Sequence, residues 1–350
     1  MNIDKEKNKN VELCKSIFDD YLTLDNLHNI PIGLFSGKIG ICIYLYSQQR
    51  NEICNLNNKI ADELLDNTIN SLDNVNDISL ETGLLGACFG LKYLIDKKFV
   101  EGNFDKIIND IDDRIFEITY FEKMNVNVEY NSGNFKYLLW YIYYLSKRIQ
   151  SKTILNDNKY IYEKMIINCI NYIDSVNIPE KFSQPFLYSS TDYYLPYYLN
   201  LLGEISKLNI YTYKIERICN DMFPDILASI PLLDVNKILL SNSMSSVSHL
   251  IKEKNLWTKH QDMLCRTINH HEVINNEFRS KKIFIHDGLT GLYLLNNSLF
   301  KKNRFSNDDI INRIQESSIW DQRTYSNEIS SNLGLIDGFA GPFLIIKNKL

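Results

Sequence analysis

One motif constrains this chain more than any other feature. Along its 350 residues a Gly-x-x-Gly turn, or an eroded copy of it, recurs about every fifty residues and opens an apolar run. Clear copies begin at Gly37, Gly83, Gly288 and Gly338, and degenerate copies are read at Gly133–Lys136, Asp192–Leu195 and Ser243–Ser246. The spacings between first positions are 46, 50, 59, 51, 45 and 50 residues. A fixed period in this range marks a repeat architecture, in which each repeat is one supersecondary unit that cannot bury its apolar face alone.

Two kinds of helix alternate within the period. The run Ile41–Tyr46 after the first motif is apolar nearly all round, as suits a helix buried on every side. The next segment, 58–72, places Ile60, Leu64, Ile69 and Leu72 at helical spacing with Asp62, Glu63, Asp66 and Asn67 between them, so one face is wet. The alternation continues with 106–116 and 137–145, then 159–173 and 193–202, and closes with 310–319 and 343–346. Seven such pairs in an open stack would leave two apolar ends, and closing them into a ring removes both. The expected fold is all-α: an α/α toroid of seven helical hairpins with inner and outer rings, one domain over residues 1–350. An open superhelical solenoid is the alternative. Glycine at the start of each inner helix lets converging backbones approach closely, and the free N–H groups there favour anions or carbonyls.

Composition narrows the function classes. A net charge of −5 and a pI near 5.8 leave no basic footprint for nucleic acid. The most apolar stretch, 137–145, is too short to cross a bilayer and is flanked by Lys136 and Lys147, so no membrane insertion is expected. Met1–Glu12 has no apolar signal core, and the seven cysteines are scattered, with Cys42, Cys88, Cys169 and Cys219 in apolar runs. Buried thiols in a reducing cytoplasm account for that pattern.

The segments Gly33–Ile41, Gly288–Leu295 and Gly334–Pro342 resemble the repeats of lanthionine synthetase C-like proteins. The likeness extends over the whole chain in period and copy number, and it is thin from about Asn131 to Glu253. It implies an α/α barrel of seven hairpins and a role in the maturation of a ribosomally made, lanthipeptide-type precursor, beside a dehydratase or another maturation enzyme. Active members bind one zinc that turns a peptide cysteine into a thiolate for addition to a dehydroamino acid. Such chemistry needs three protein ligands, an open position for sulfur, and an acid or base for the enolate. The family supplies a cysteine in a Trp-Cys-x-Gly segment, a Cys-His-Gly pair, and a histidine one repeat earlier than the first.

This sequence departs at each of those positions. Ser241 falls at the first ligand, His286 and Asp287 replace the Cys-His pair, and Thr191 falls at the acid/base histidine. The resemblance thus implies binding of a dehydrated or precursor peptide in a central cavity, with no cofactor expected. Tyr193, Tyr194 and Tyr197 are the substrate-binding candidates, from a repeat rich in aromatics. Zinc on His286, Asp287 and Ser241, giving an active thioether cyclase with a remodelled site and His286, Asp287 and Thr191 in catalytic roles, is the alternative reading. The plain account of His286 and Asp287 is a polar helix start with Asp287 as cap, and of His270-His271 a surface pair.

Two other chemistries are carried out by α/α toroids. Asp110-Ile111-Asp112-Asp113 spells the signature of proton-initiated terpene cyclases, but it falls on an amphipathic helix whose buried side is Ile107, Ile108, Ile111 and Ile115. A glycoside-processing toroid needs two carboxylates about 5–9 Å apart, for which Asp192, Asp287 and Asp337 are the rim candidates. No Walker loop, dinucleotide fingerprint, Cys-x-x-Cys or Gly-x-Ser-x-Gly occurs.

Overall fold

The computed structural model describes residues 2–49, 55–124, 132–151, 156–175, 182–190, 192–278, 282–298, 305–321, 325–326, 328 and 329–347. Among them every regular element is a helix. Those of eight residues or more are α1 (Asn2–Tyr21), α2 (Lys38–Gln49), α3 (Asn55–Ser71), α4 (Leu84–Asp96), α5 (Phe104–Met124), α6 (Ser132–Gln150) and α7 (Asn156–Ser175). They continue with α8 (Tyr194–Lys207), α9 (Thr212–Asp221), α10 (Asp234–Val247), α11 (Lys254–Arg266), α12 (Leu289–Ser298), α13 (Asn307–Gln315) and α14 (Ala340–Lys347). The chain divides into two compact units. One comprises Met1–Val126, Arg279–Leu295 and Ser306–Leu350, and the other Asn127–Phe278 and Asn296–Phe305.

In the first unit the apolar helices are neighbours in the order α14, α2, α4, and α3 and α5 pack on α2 and α4 respectively. Ile41 through Tyr46 of α2 are all buried, whereas α3 buries Leu64, Leu65 and Thr68 and exposes Asp62, Glu63, Asp66 and Asn67. The two kinds of helix read from the sequence are therefore present. α1 joins the chain's beginning to its end: Phe18 lies 5.3 Å from Tyr44 of α2 and 5.3 Å from Phe343 of α14. On α5, Asp110 and Asp113 are exposed and Ile108, Ile111 and Ile115 buried, so the acidic run is on a largely wet face; Asp112 is buried.

The motif loops of this unit are linked by their backbones. The N–H of His286 donates to Ile336 O (3.0 Å), that of Ile336 to Phe35 O (3.2 Å), and that of Phe35 to Glu81 O (3.1 Å). These four residues stand two places before Gly288, Gly338, Gly37 and Gly83, so equivalent positions of repeats six, seven, one and two form one relay. The relay needs glycine for space. None of the described glycines has positive φ, but a Cβ on Gly334 would lie 2.6 Å from Ser36 Cα and 2.8 Å from Phe35 C, and would also strike Phe35 O. Contacts that short to backbone have no side chain to yield.

In the second unit α6, α8 and α10 are neighbours in that order, backed by α7, α9 and α11. A Cβ on Gly203 of α8 would meet Ser246 O of α10 at 2.7 Å, so glycine allows that crossing. Trp257 of α11 donates from Nε1 to Met244 O (3.1 Å) and fixes α11 on α10. The fifth motif copy, expected to open a helix, does not do so. α10 begins at Asp234, so Ser243 sits well inside the helix and opens nothing. Serine is a capping residue only where a terminal N–H is free. In α10 the hydroxyls of Ser241, Ser243 and Ser246 instead donate to the carbonyls of Ile238, Leu240 and Ser243, three residues back. The true start of α10 is capped from a distance: the Glu277 carboxylate accepts the amides of Asp234 and Val235 (3.0 Å for Val235).

Candidate functional site

The aromatic run of α6 is helical, so consecutive rings point in different directions. Tyr141 and Tyr144 are buried, and Trp140 and Tyr143, on another face, are partly exposed. α8 sorts its tyrosines in the same way, with Tyr198 buried and Tyr194 and Tyr197 partly exposed. The faces that remain open line one cavity of about 430 Å³, with Trp140, Tyr143, Tyr194 and Tyr197 on its wall and Lys136, Lys147 and Glu204 as its charged groups. Its volume is within the range of small-molecule sites, a few hundred to a thousand cubic ångströms.

The rings brace one another. Trp140 and Tyr197 have centroids 6.0 Å apart, and Trp140 meets Tyr143 edge-on at 6.2 Å. The Tyr197 hydroxyl donates to Ser190 O, tying α8 to the loop before it, and burial, with the Asp192 charge, raises its pKa. At the charged end the Lys147 ammonium lies 5.0 Å from the Tyr143 ring centroid and 3.3 Å from Glu204 Oε2. Lys207 holds Glu204 Oε1 at 2.8 Å, and the Lys207 bond, aided by Lys147, lowers the Glu204 pKa.

Tyr193 is not on this wall. It precedes α8 and is fully buried, with its phenol pKa raised by desolvation. Of the three tyrosines expected to bind substrate, the structure therefore brings two to the cavity and puts the third in the core. Trp140 and Tyr143 join them; an aromatic run at helical spacing reads first as core, which is where Tyr141 and Tyr144 lie. Thr191 lies outside the described residues.

The residues that the resemblance sets at zinc-ligand positions make other contacts. Ser241, 3% exposed, is committed to Ile238 O at 3.0 Å. Asp287 is paired with Lys282. His286 Nδ1 is 4.0 Å from Asp337 Oδ1, while Ser36 Oγ donates to the other Asp337 oxygen at 3.5 Å. Among the described residues no three His, Cys, Asp or Glu side chains are grouped to hold a metal ion. A hydroxyl spent on its own helix and a carboxylate paired with lysine are poor zinc ligands as they stand, and they leave His286 without two partners for a three-ligand site. Burial raises the thiol pKa of Cys14 to about 11 and of Cys219 to about 12, and that of Cys42 as well. His271 is exposed and His270 packs on Phe305 at 4.9 Å.

No protein-family model and no curated protein matches the sequence. Among the described residues no helix is long and apolar enough to cross a membrane.

Proposed function

We propose that this chain is a divergent lanthionine synthetase C-like α/α toroid that binds a dehydrated or precursor peptide and does so without the family's thiol-activating zinc. The aromatic cavity carries the binding part of this reading: four rings in a space of about 430 Å³ suit the apolar side chains of an extended peptide. Support for ring closure comes from the first unit, where the seventh motif loop donates to the first through Ile336 and Phe35 (3.2 Å) and α14 packs on α2. The order of α6, α8 and α10 in the second unit agrees with it. Support for a zinc-free role comes from the commitments of Ser241 and Asp287. A binder of this kind would present its peptide to a dehydratase or another maturation enzyme.

The test is anisotropy of a fluorescently labelled precursor peptide with the full-length protein, together with elemental analysis of unchelated protein before and after dialysis. Saturable binding weakened several-fold by Tyr197→Ala, with no stoichiometric zinc, is the expected result. Absence of peptide binding sinks the proposal. Zinc that survives dialysis and falls in His286→Ala would replace it with a cyclase of altered ligand set.

A further inference from the structure

We infer that the cavity between α6 and α8 is selective for an aromatic or aliphatic group carrying a carboxylate. The inference rests on the peptide-binding reading only for the source of that group, an apolar residue beside an acidic one or at a chain terminus.

Charge decides the class. An aromatic box would by itself suit a cation, because ring faces are negative. Here that place is taken: Lys147 sits 5.0 Å from the Tyr143 centroid. Glu204, the carboxylate of the lining, is shared by the ammonium groups of Lys147 at 3.3 Å and Lys207 at 2.8 Å, which leaves an excess of one positive charge at that end. Lys136 adds a second cationic group to the lining. All this occurs in a chain of net charge −5, so the local sign opposes the global one. A ligand cation drawn to the Tyr143 face or to Glu204 would have to displace Lys147. A ligand carboxylate needs no displacement: of the three donors of the Lys147 ammonium one goes to Glu204 and one to Gln150 Oε1 at 3.5 Å, which leaves the third. Trp140, Tyr194, Tyr197, Leu139 and Leu201 give the rest of the wall its apolar part, which takes the body of the ligand and leaves its charge at the Lys147 end.

Trp140 is a built-in reporter. Of the three tryptophans, Trp257 and Trp320 are 1% and 3% exposed, and Trp140 is the one on the cavity wall. The full-length protein would be titrated with N-acetyl-phenylalanine, its neutral carboxamide, and phenethylamine, followed by fluorescence and by calorimetry. The carboxylate is expected to give a saturable change that is absent in Trp140→Phe, and to bind about tenfold tighter than the carboxamide, the usual scale for one charge-assisted bond. Phenethylamine is expected to bind weakest. Lys147→Met should bring carboxylate and carboxamide to within about twofold of each other. Equal affinity of the two in wild type, tighter binding of phenethylamine, or no saturable signal by either method overturns the inference.

Displacement of the bound probe by precursor peptide would assign the carboxylate group to the peptide. A peptide that binds and leaves the probe in place would overturn that assignment while the preference for the acid stands. If the precursor binds and N-acetyl-phenylalanine does not, the pocket assignment fails alone. If the probe binds and no precursor does, the proposed function fails alone.

Discussion

Substituting Gly334 tests whether the motif glycines are there for space. A Cβ at this position would stand 2.6 Å from Ser36 Cα and 2.8 Å from Phe35 C, inside the loop that receives the Ile336 amide at 3.2 Å. Relief requires the seventh loop to move off the first, which strains the backbone by about 1–3 kcal/mol and weakens one hydrogen bond worth about 1 kcal/mol. Restricting the unfolded chain returns about 0.4–1 kcal/mol. The net cost of Gly334→Ala is therefore about 1–3.6 kcal/mol. Gly102→Ala is the control, since its Cβ would make ordinary contacts at 3.6 Å with Ile107 and 3.7 Å with Ile95; its expected effect is within about 0.5 kcal/mol. Urea unfolding followed by circular dichroism reads both, and fluorescence as a second probe checks that the transition is shared by the two compact units. Equal midpoints for Gly334→Ala and wild type, or an equal loss in Gly102→Ala, would refute the close-approach argument.

Other expectations follow from single contacts. Burial raises the Glu277 pKa above its ordinary 4.5. A carboxyl raised on folding contributes stability that is complete below 4.5 and lost as pH rises through the folded value, so wild type should lose ground against Glu277→Gln between acidic and neutral pH; a constant gap in urea midpoint would contradict this. Thr290 is fully buried and its hydroxyl has no hydrogen-bond partner among the described residues, so Thr290→Val should be neutral or stabilise by about 1 kcal/mol; a loss of that size in thermal unfolding would show that the hydroxyl is satisfied. Cys42 and Cys219 should resist iodoacetamide at pH 8 in the native state and react in urea, because burial holds both thiols protonated; rapid native labelling counted by mass spectrometry would refute their burial.

Much of this protein was legible in its residues because helical periodicity is local. Ile41–Tyr46 and Asp62–Asn67 announce a buried and a half-wet helix without reference to any partner, and both are found as read. Glycine spacing likewise marked the helix starts at Lys38, Leu84, Leu289 and Ala340. Reading Ser241, His286 and Asp287 against a Cys, Cys, His ligand set depends wholly on the family resemblance and on nothing in the local pattern. The fifth repeat failed because serine has two local uses. Back-bonding inside α10 and capping at a helix start need the same residue, and the choice fell to Glu277, whose carboxylate comes from beyond the helix.

What tertiary structure alone decided is which rings face open space. Tyr193, Tyr194, Tyr197 and Tyr198 have the same chemistry, and no pattern in a helix apolar on most faces ranks them. Contacts made by residues distant in sequence do. Phe135 packs on Tyr198 at 6.1 Å, while Trp140 leans on Tyr197 at 6.0 Å at the edge of a cavity. The placement of Lys147 between Tyr143 and Glu204 is decided in the same way, since Glu204 belongs to another helix. Local sequence determines that a segment is a helix and which faces can be dry; the neighbour that covers a face, or leaves it open, is a property of the packed chain.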